Sequence, residues 1–242
     1  MRTIVIVHGA WSGGWSWRRV KERLEGRGFR VFTPTLTGVG ERAHLARPEV
    51  DLELHIQDVA AVLEYEGLGD VLLVGHSYGG MVVTGVADRS PERLAGLVYV
   101  DAFVPSDGQS ALDLLPPAVA EGMRARVAAE GDGWRLPPNP PADDTAPEDL
   151  AWLAPRRGPQ PFATFTQKLR LEGTPPPPLR AYIYCERTGP VDSFGPFARR
   201  AQQEPGWRYF GIDASHAANV TAPAALTDLL AGIAATSPAA RP

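Results

Sequence analysis

The residues Gly75-His76-Ser77-Tyr78-Gly79 place a hydroxyl between two glycines, directly after the apolar run Val71-Leu72-Leu73-Val74 and directly before Gly80-Met81-Val82-Val83. A serine on a sharp turn from a buried strand into a helix projects its hydroxyl clear of the sheet, and G-x-S-x-G in that setting is the signature of such a turn. Small residues at 75 and 79 let the chain reverse without side-chain clashes, and the helix start behind Ser77 brings backbone donors and a positive dipole end towards the hydroxyl. The chemistry this allows is acyl transfer. It needs two further parts, because a serine attacks only when a base removes its proton and donors receive the oxyanion.

Five histidines could serve as the base. His76 is the variable residue of the turn, His55 falls on a helical pattern where a structural role fits, His8 ends the first apolar run, and His44 lies in a loop that begins Gly38-Val39-Gly40. His216 follows the last strand-like run in Ile212-Asp213-Ala214-Ser215-His216, before the final helical pattern. In a parallel sheet the strand ends gather on one edge, so a loop after the last strand can return a side chain to Ser77. His216 is therefore the expected base.

The elements that must hold these residues alternate. Apolar, β-branched runs at Thr3 to Val7, Arg30 to Thr35, Val71 to Gly75, Gly96 to Val100, Arg180 to Cys185 and Trp207 to Ile212 read as buried strands. Helical patterns fall at Trp15 to Arg27, Leu52 to Glu66, Gly80 to Asp88, Phe194 to Gln203 and Ala222 to Ala234. The expected fold is α/β: a mostly parallel six-stranded sheet with helices on both faces. Residues 105–178 interrupt the alternation and hold 15 of the 24 prolines, too many for long helices or central strands. Trp134, Trp152, Phe162 and Phe165 argue against a disordered linker there. The segment is read as a lid inserted into a core made of residues 1–104 and 179–242. Its tryptophans, with Trp11 near the first strand end, are expected to bind a bulky or aromatic substrate.

Composition narrows the partners. With 242 residues, 24 basic against 28 acidic, and no basic run longer than a pair such as Arg156-Arg157, the chain offers no phosphate-binding stripe, so nucleic acid is not expected. Cys185 is the single cysteine, which excludes an internal disulfide and a thiolate metal site. No apolar run is long enough to span a bilayer, and the short apolar stretch after Met1 is not a signal-peptide core. Neither H-E-x-x-H, a Walker loop nor a G-x-G-x-x-G in the setting of a dinucleotide fold occurs, so no metal or cofactor is expected. These features indicate a soluble cytoplasmic protein that uses no membrane, with its oligomeric state open, a homodimer included.

With Ser77 and His216 placed, the chain resembles the α/β-hydrolases, and in detail their methylesterase and hydroxynitrile lyase branch. His8-Gly9-Ala10-Trp11-Ser12-Gly13-Gly14-Trp15-Ser16-Trp17 is similar to that branch's oxyanion loop, Gly75 to Gly80 to its nucleophile turn, Ala102-Phe103-Val104-Pro105 to its lid entrance and Thr164-Phe165-Thr166-Gln167-Lys168-Leu169 to its lid exit. The resemblance implies an oxyanion hole made by the backbone N–H groups of Ala10 and Tyr78, in accord with the usual origin of one donor in the residue after the nucleophile.

The acid is where the sequence departs from the branch. The branch carries it just beyond the penultimate strand, where this chain has Thr188, with Asp192 four residues later. Val98-Tyr99-Val100-Asp101 instead ends the strand after the nucleophile turn with a carboxylate, a position some other α/β-hydrolases use. Asp101 is the preferred acid, with Asp192 the main alternative and Asp213 a third. Serine at the turn argues against epoxide hydrolases and dehalogenases of this fold, and Ala217 stands where hydroxynitrile lyases of the branch carry a lysine. The expected activity is serine-dependent hydrolysis of a hydrophobic small-molecule ester or lactone. A non-hydrolytic cyclase or lyase reaction in the same pocket, and a ligand receptor without turnover, are the alternatives.

Overall fold

The strand-like runs form a single six-stranded sheet in the computed structural model, which describes residues 2–141, 145–189 and 191–237. In chain order the strands are β1 (Thr3–Val7), β2 (Arg30–Phe32), β3 (Val71–His76), β4 (Leu94–Val100), β5 (Arg135–Leu136), β6 (Gln160–Pro161), β7 (Leu179–Cys185) and β8 (Trp207–Ile212). The main sheet runs β2-β1-β3-β4-β7-β8 with every neighbouring pair parallel, and β5 and β6 form a separate antiparallel ribbon. The helices are α1 (Arg18–Glu25), α2 (Leu52–Tyr65), α3 (Gly79–Arg89), α4 (Pro117–Glu130), α5 (Pro147–Leu153), α6 (Ala163–Thr166), α7 (Gly195–Gln203), α8 (Ala218–Thr221) and α9 (Pro223–Ala235).

Strand alternation divides the core. Ile4, Ile6, Leu72, Val74, Val98 and Val100 point to one face, where Val20 and Leu24 of α1 and Leu226, Leu230 and Ile233 of α9 cover them. Val5, Val7, Leu73, Leu97 and Tyr99 point to the other, against Ile56, Val59 and Leu63 of α2 and Val82, Val83 and Val86 of α3. Both faces are apolar because parallel strands carry covering helices on each side. At roughly 2 kcal/mol per fully buried aliphatic side chain, this core fixes the strand register that the site depends on. That register pairs His76 with Val100, so residues 77 and 101 leave adjacent strands at the same level.

Several elements differ from the sequence reading, and β4 begins at Leu94, two residues before the expected Gly96. The strand expected to reach Thr35 stops at Phe32, since Pro34 has no N–H for the ladder. The helix expected from Trp15 begins as a 3-10 turn at Gly14–Trp17 and becomes α-helical only at Arg18. The short α8, directly after His216, has no counterpart in the periodicity. The segment between β4 and β7 carries α4, α5, α6 and the β5/β6 ribbon, and its Pro117 and Pro147 sit in first helical turns, where a missing N–H costs nothing. Among the described residues no helix is long and apolar enough to cross a membrane.

Candidate active site

Local sterics set the nucleophile turn. A Cβ on Gly79 would lie 2.6 Å from the Val7 carbonyl oxygen, and one on Gly75 would lie 2.6 Å from Val83 and 2.7 Å from the Gly79 oxygen. Only glycine lets β3 and α3 approach this closely. Ser77 between them has φ +54°, a left-handed conformation that costs a non-glycine residue roughly 1–2 kcal/mol. It is held by Ser77 N–H donating to Val100 O (3.2 Å) and by the Phe103 and Gly80 N–H groups donating to Ser77 O.

Three side chains from separate elements meet at this turn. Ser77 Oγ is 2.9 Å from His216 Nε2, and His216 Nδ1 is 2.6 Å from Asp101 Oδ2. The arrangement requires Nδ1–H to donate to the carboxylate, which leaves Nε2 as the acceptor for the serine proton. Asp101 is buried, with φ +42°. Its N–H donates to Ile183 O (2.7 Å), and its other carboxylate oxygen accepts a weak hydrogen bond from Cys185 N–H (3.4 Å). Tyr182 steadies the corner, its hydroxyl accepting from Ala102 N–H (3.1 Å) and donating to Ala102 O (3.0 Å).

Two residues that periodicity and motif did not single out hold the imidazole. His76 Nε2–H donates to the His216 carbonyl (2.8 Å), and its ring packs 4.8 Å from that of His216. Burial, then the neighbouring His216 charge, lowers the His76 pKa to about 3, so it is neutral near pH 7. Phe194 lies flat on the other face, 4.8 Å away at 6°. A histidine inside the turn motif was the only hint of the first contact, and nothing in sequence marked the second.

The other acids have different work. Asp192, the alternative in the sequence reading, is exposed and directed to the start of α7, accepting from Gly195 N–H (2.6 Å), Phe194 N–H (3.2 Å) and Tyr184 O–H (2.9 Å). Pro190, two residues before it in sequence, lies outside the described residues. Asp213 is paired with Arg187 at 2.6 and 2.9 Å on the surface. Neither meets His216.

Ala10 and Tyr78 line the same cavity as Ser77, and the backbone N–H of neither donates to an acceptor among the described residues. His8 orients the first: its Nδ1–H donates to Gly9 O (2.7 Å), the carbonyl of the same peptide plane that carries the Ala10 N–H. The His8 Nε2 accepts from Leu36 N–H (3.1 Å), and burial lowers its pKa to about 4, keeping the single-proton form that this pattern needs. The Tyr78 ring is buried with its hydroxyl 3.0 Å from His55 Nδ1, and the His55 Nε2–H donates to Thr37 O (2.8 Å).

Above Ser77 opens a cavity of about 370 Å³, reached by Trp11 and Phe194 from the core and by Leu115, Val119, Met123 and Phe165 from the inserted segment. The expectation that Trp134 and Trp152 line it is corrected: neither is among its described lining residues. Trp152 packs edge-on against Trp15 at 5.1 Å, with the Arg19 guanidinium 5.3 Å from its ring, and Trp134 is covered by Arg135 at 4.2 Å. The Trp152 ring fastens the segment to the core, while that of Trp134 packs with its own neighbour Arg135. No group of His, Cys, Asp and Glu able to hold a metal occurs among the described residues.

A parallel sheet with a serine on a strand-to-helix turn, met by a histidine from the last loop, defines a hydrolase of the α/β type. Residues 4–229 match the model of the alpha/beta hydrolase family, and the chain belongs to that family. It is 40% identical over 242 residues to the carbendazim hydrolyzing esterase of Nocardioides sp. (strain SG-4G), covering 96% of this chain and all of that protein. It is 27% identical over 254 residues to the putative chloroplastic methylesterase 11 of Arabidopsis thaliana, covering 97% of this chain and 64% of that one. Among solved structures, a pyrethroid hydrolase from Sphingobium faniae JZ-2 superimposes with a TM-score of 0.65 at 28% identity, over 97% and 98% of the two chains. With esterases among its relatives over nearly its full length, the protein is an ester-hydrolysing member of the family.

Proposed function

We propose that this protein cleaves a carboxylic ester or lactone of a hydrophobic small molecule through an acyl-enzyme on Ser77. The observation that carries the reading is the contact series Ser77 Oγ to His216 Nε2 and His216 Nδ1 to Asp101 Oδ2, open to an apolar cavity. Ser77 Oγ attacks the ester carbonyl while Nε2 takes its proton. Asp101 stabilises the imidazolium, and the free Ala10 and Tyr78 N–H groups receive the oxyanion. His216 then gives the proton to the departing alkoxide, and a water activated by the same nitrogen releases the acid. These residues supply each proton and charge the cycle needs.

The inserted segment, about residues 105–178, is the lid of this site and sets substrate choice through Leu115, Val119, Met123 and Phe165, with Trp11 from the core. Relatives named for hydrolysis of carbendazim and of pyrethroids agree with such a pocket. Ala217 follows His216, so the site lacks the lysine that cyanohydrin cleavage in the resembling branch uses. The test is mass spectrometry after treatment with a fluorophosphonate, alongside turnover of aryl esters. A single adduct on Ser77, and loss of turnover in Ser77→Ala, are expected. An adduct elsewhere, or full turnover by the alanine variant, overturns the mechanism.

A further inference from the structure

The inserted segment grips the oxyanion loop at its main chain. Trp11 N–H donates to the side-chain oxygen of Gln160 (3.0 Å), and the Trp11 indole N–H donates to Leu136 O (3.0 Å). Gln160 and Leu136 face each other in the β5/β6 ribbon, so one short element supplies both acceptors. We propose that Gln160 is a positioning residue for catalysis, holding the Ala10 N–H in place to receive the oxyanion, a role that rests on the reading of Ser77 as nucleophile.

The peptide geometry leads to this assignment. The Gly9–Ala10 peptide carries the Ala10 N–H, and His8 fixes that plane from its carbonyl end. The next plane, Ala10–Trp11, is fixed from its N–H end by Gln160. Ala10 is thus bracketed, with a core residue on one side and an inserted residue on the other. Without the second anchor the loop has reason to move, because Trp11 is held at φ +59°, a conformation that bulky side chains avoid. Gln160 itself is fully buried, and its amide orientation follows from its partners: the Nε2 group donates to Thr164 Oγ1 (2.9 Å), which donates to Pro161 O (2.7 Å). The second donor is attached to the same segment, since Phe165 stacks on Trp11 at 6.1 Å and on Tyr78 at 5.2 Å. The segment therefore shapes the transition-state site as well as the substrate pocket.

The test compares wild type with Gln160→Leu, which removes the acceptor, and Gln160→Glu, which retains one. Active sites are counted by fluorophosphonate titration, so unfolded protein does not enter kcat. The second readout is affinity for an aryl trifluoromethyl ketone, which forms an oxyanion adduct with the serine, against a non-adduct-forming amide of the same shape. For Gln160→Leu, kcat per titrated site should fall about 10- to 100-fold with KM changed less than about threefold, since a misplaced oxyanion donor costs rate rather than binding. Ketone affinity should fall in parallel, amide affinity should hold, and Gln160→Glu should recover most of the loss. Unchanged kcat, or a raised KM with unchanged kcat, would mean that Gln160 only fastens the segment, and the proposal is then wrong. Should Gln160→Leu not fold, Gln160→Asn, which withdraws the amide by one methylene, is judged by the same criteria. Failure of wild-type Ser77 to label marks the failure of the underlying mechanism, separately from any result at Gln160.

Discussion

Replacing Asp101 by asparagine isolates one proton. The backbone at this position has φ +42°, a region where asparagine is nearly as well tolerated as aspartate, so the substitution leaves the corner after β4 in place, whereas alanine would add strain. The new amide has two orientations. With its oxygen on His216 Nδ1–H, the NH₂ group faces the Cys185 N–H, donor against donor, where Asp101 has an acceptor at 3.4 Å. With its oxygen on Cys185, the NH₂ group faces Nδ1 and selects the tautomer that carries hydrogen on Nε2. That tautomer presents a donor to Ser77 Oγ, 2.9 Å away, and cannot take its proton. Even the first orientation loses the charge that stabilises the imidazolium across the 2.6 Å contact. The expected loss in kcat is about 10³- to 10⁴-fold, or about 4–5.5 kcal/mol of barrier, the size found for this change in a serine-protease triad. The assay is kcat per titrated site on an aryl ester, with Tm measured on the same samples, and Tm should move by no more than about 4 °C, the shift expected for roughly 1 kcal/mol in a chain of this length. Asp192→Asn should lower kcat less than about threefold, because its carboxylate serves the start of α7. A loss under tenfold for Asp101→Asn, or a larger loss for Asp192→Asn, would refute the assignment.

Ser77→Gly should be more stable than Ser77→Ala by about 1 kcal/mol in urea unfolding, with both inactive, since only glycine relieves the φ +54° strain. Equal stabilities would show that the turn stores no strain. Tyr78→Phe keeps the backbone N–H but leaves His55 Nδ1 without its 3.0 Å partner; a cost of about 1–3 kcal/mol in stability, with kcat within about threefold, is expected and is read by unfolding and kinetics in parallel. His8 has a folded pKa of about 4 against an ordinary 6.5. Between those values the unfolded chain binds a proton that the native state refuses, so its contribution is fully present above about pH 6.5 and is lost as pH falls towards 4. That loss is on the order of 3 kcal/mol. His8→Gln should flatten the slope of unfolding free energy against pH in that window by about 1.4 kcal/mol per pH unit, and an unchanged slope would contradict the burial argument.

Sequence alone determined what depends on near neighbours. The alternating strands and helices were legible because each buried strand is a short apolar run between amphipathic stretches; element ends slipped by one or two residues, as at the start of β4, and by three where a proline or a 3-10 turn intervened, as at Pro34 and Gly14. The turn at Ser77 was legible for the same reason: the contacts that demand glycine at 75 and 79 lie within one strand-turn-helix unit and its neighbouring strand. Tertiary structure decided the rest. Asp101, Asp192 and Asp213 all follow strands of the sheet, and the sequence ranked Asp101 first only through the departure at Thr188 from the resembling branch, without the contact itself. The register of β4 against β3, and the direction each carboxylate takes, leave Asp101 facing His216, turn Asp192 to the N–H groups of α7, and give Asp213 to Arg187. In the same way the tryptophans of the inserted segment carried the right chemistry for a pocket, yet Trp134 and Trp152 found cationic and aromatic partners outside it, while the methionine, leucine, valine and phenylalanine of the segment reached the cavity. Orientation across elements separated by a hundred residues is set by how helices and strands pack, and no local pattern encodes it.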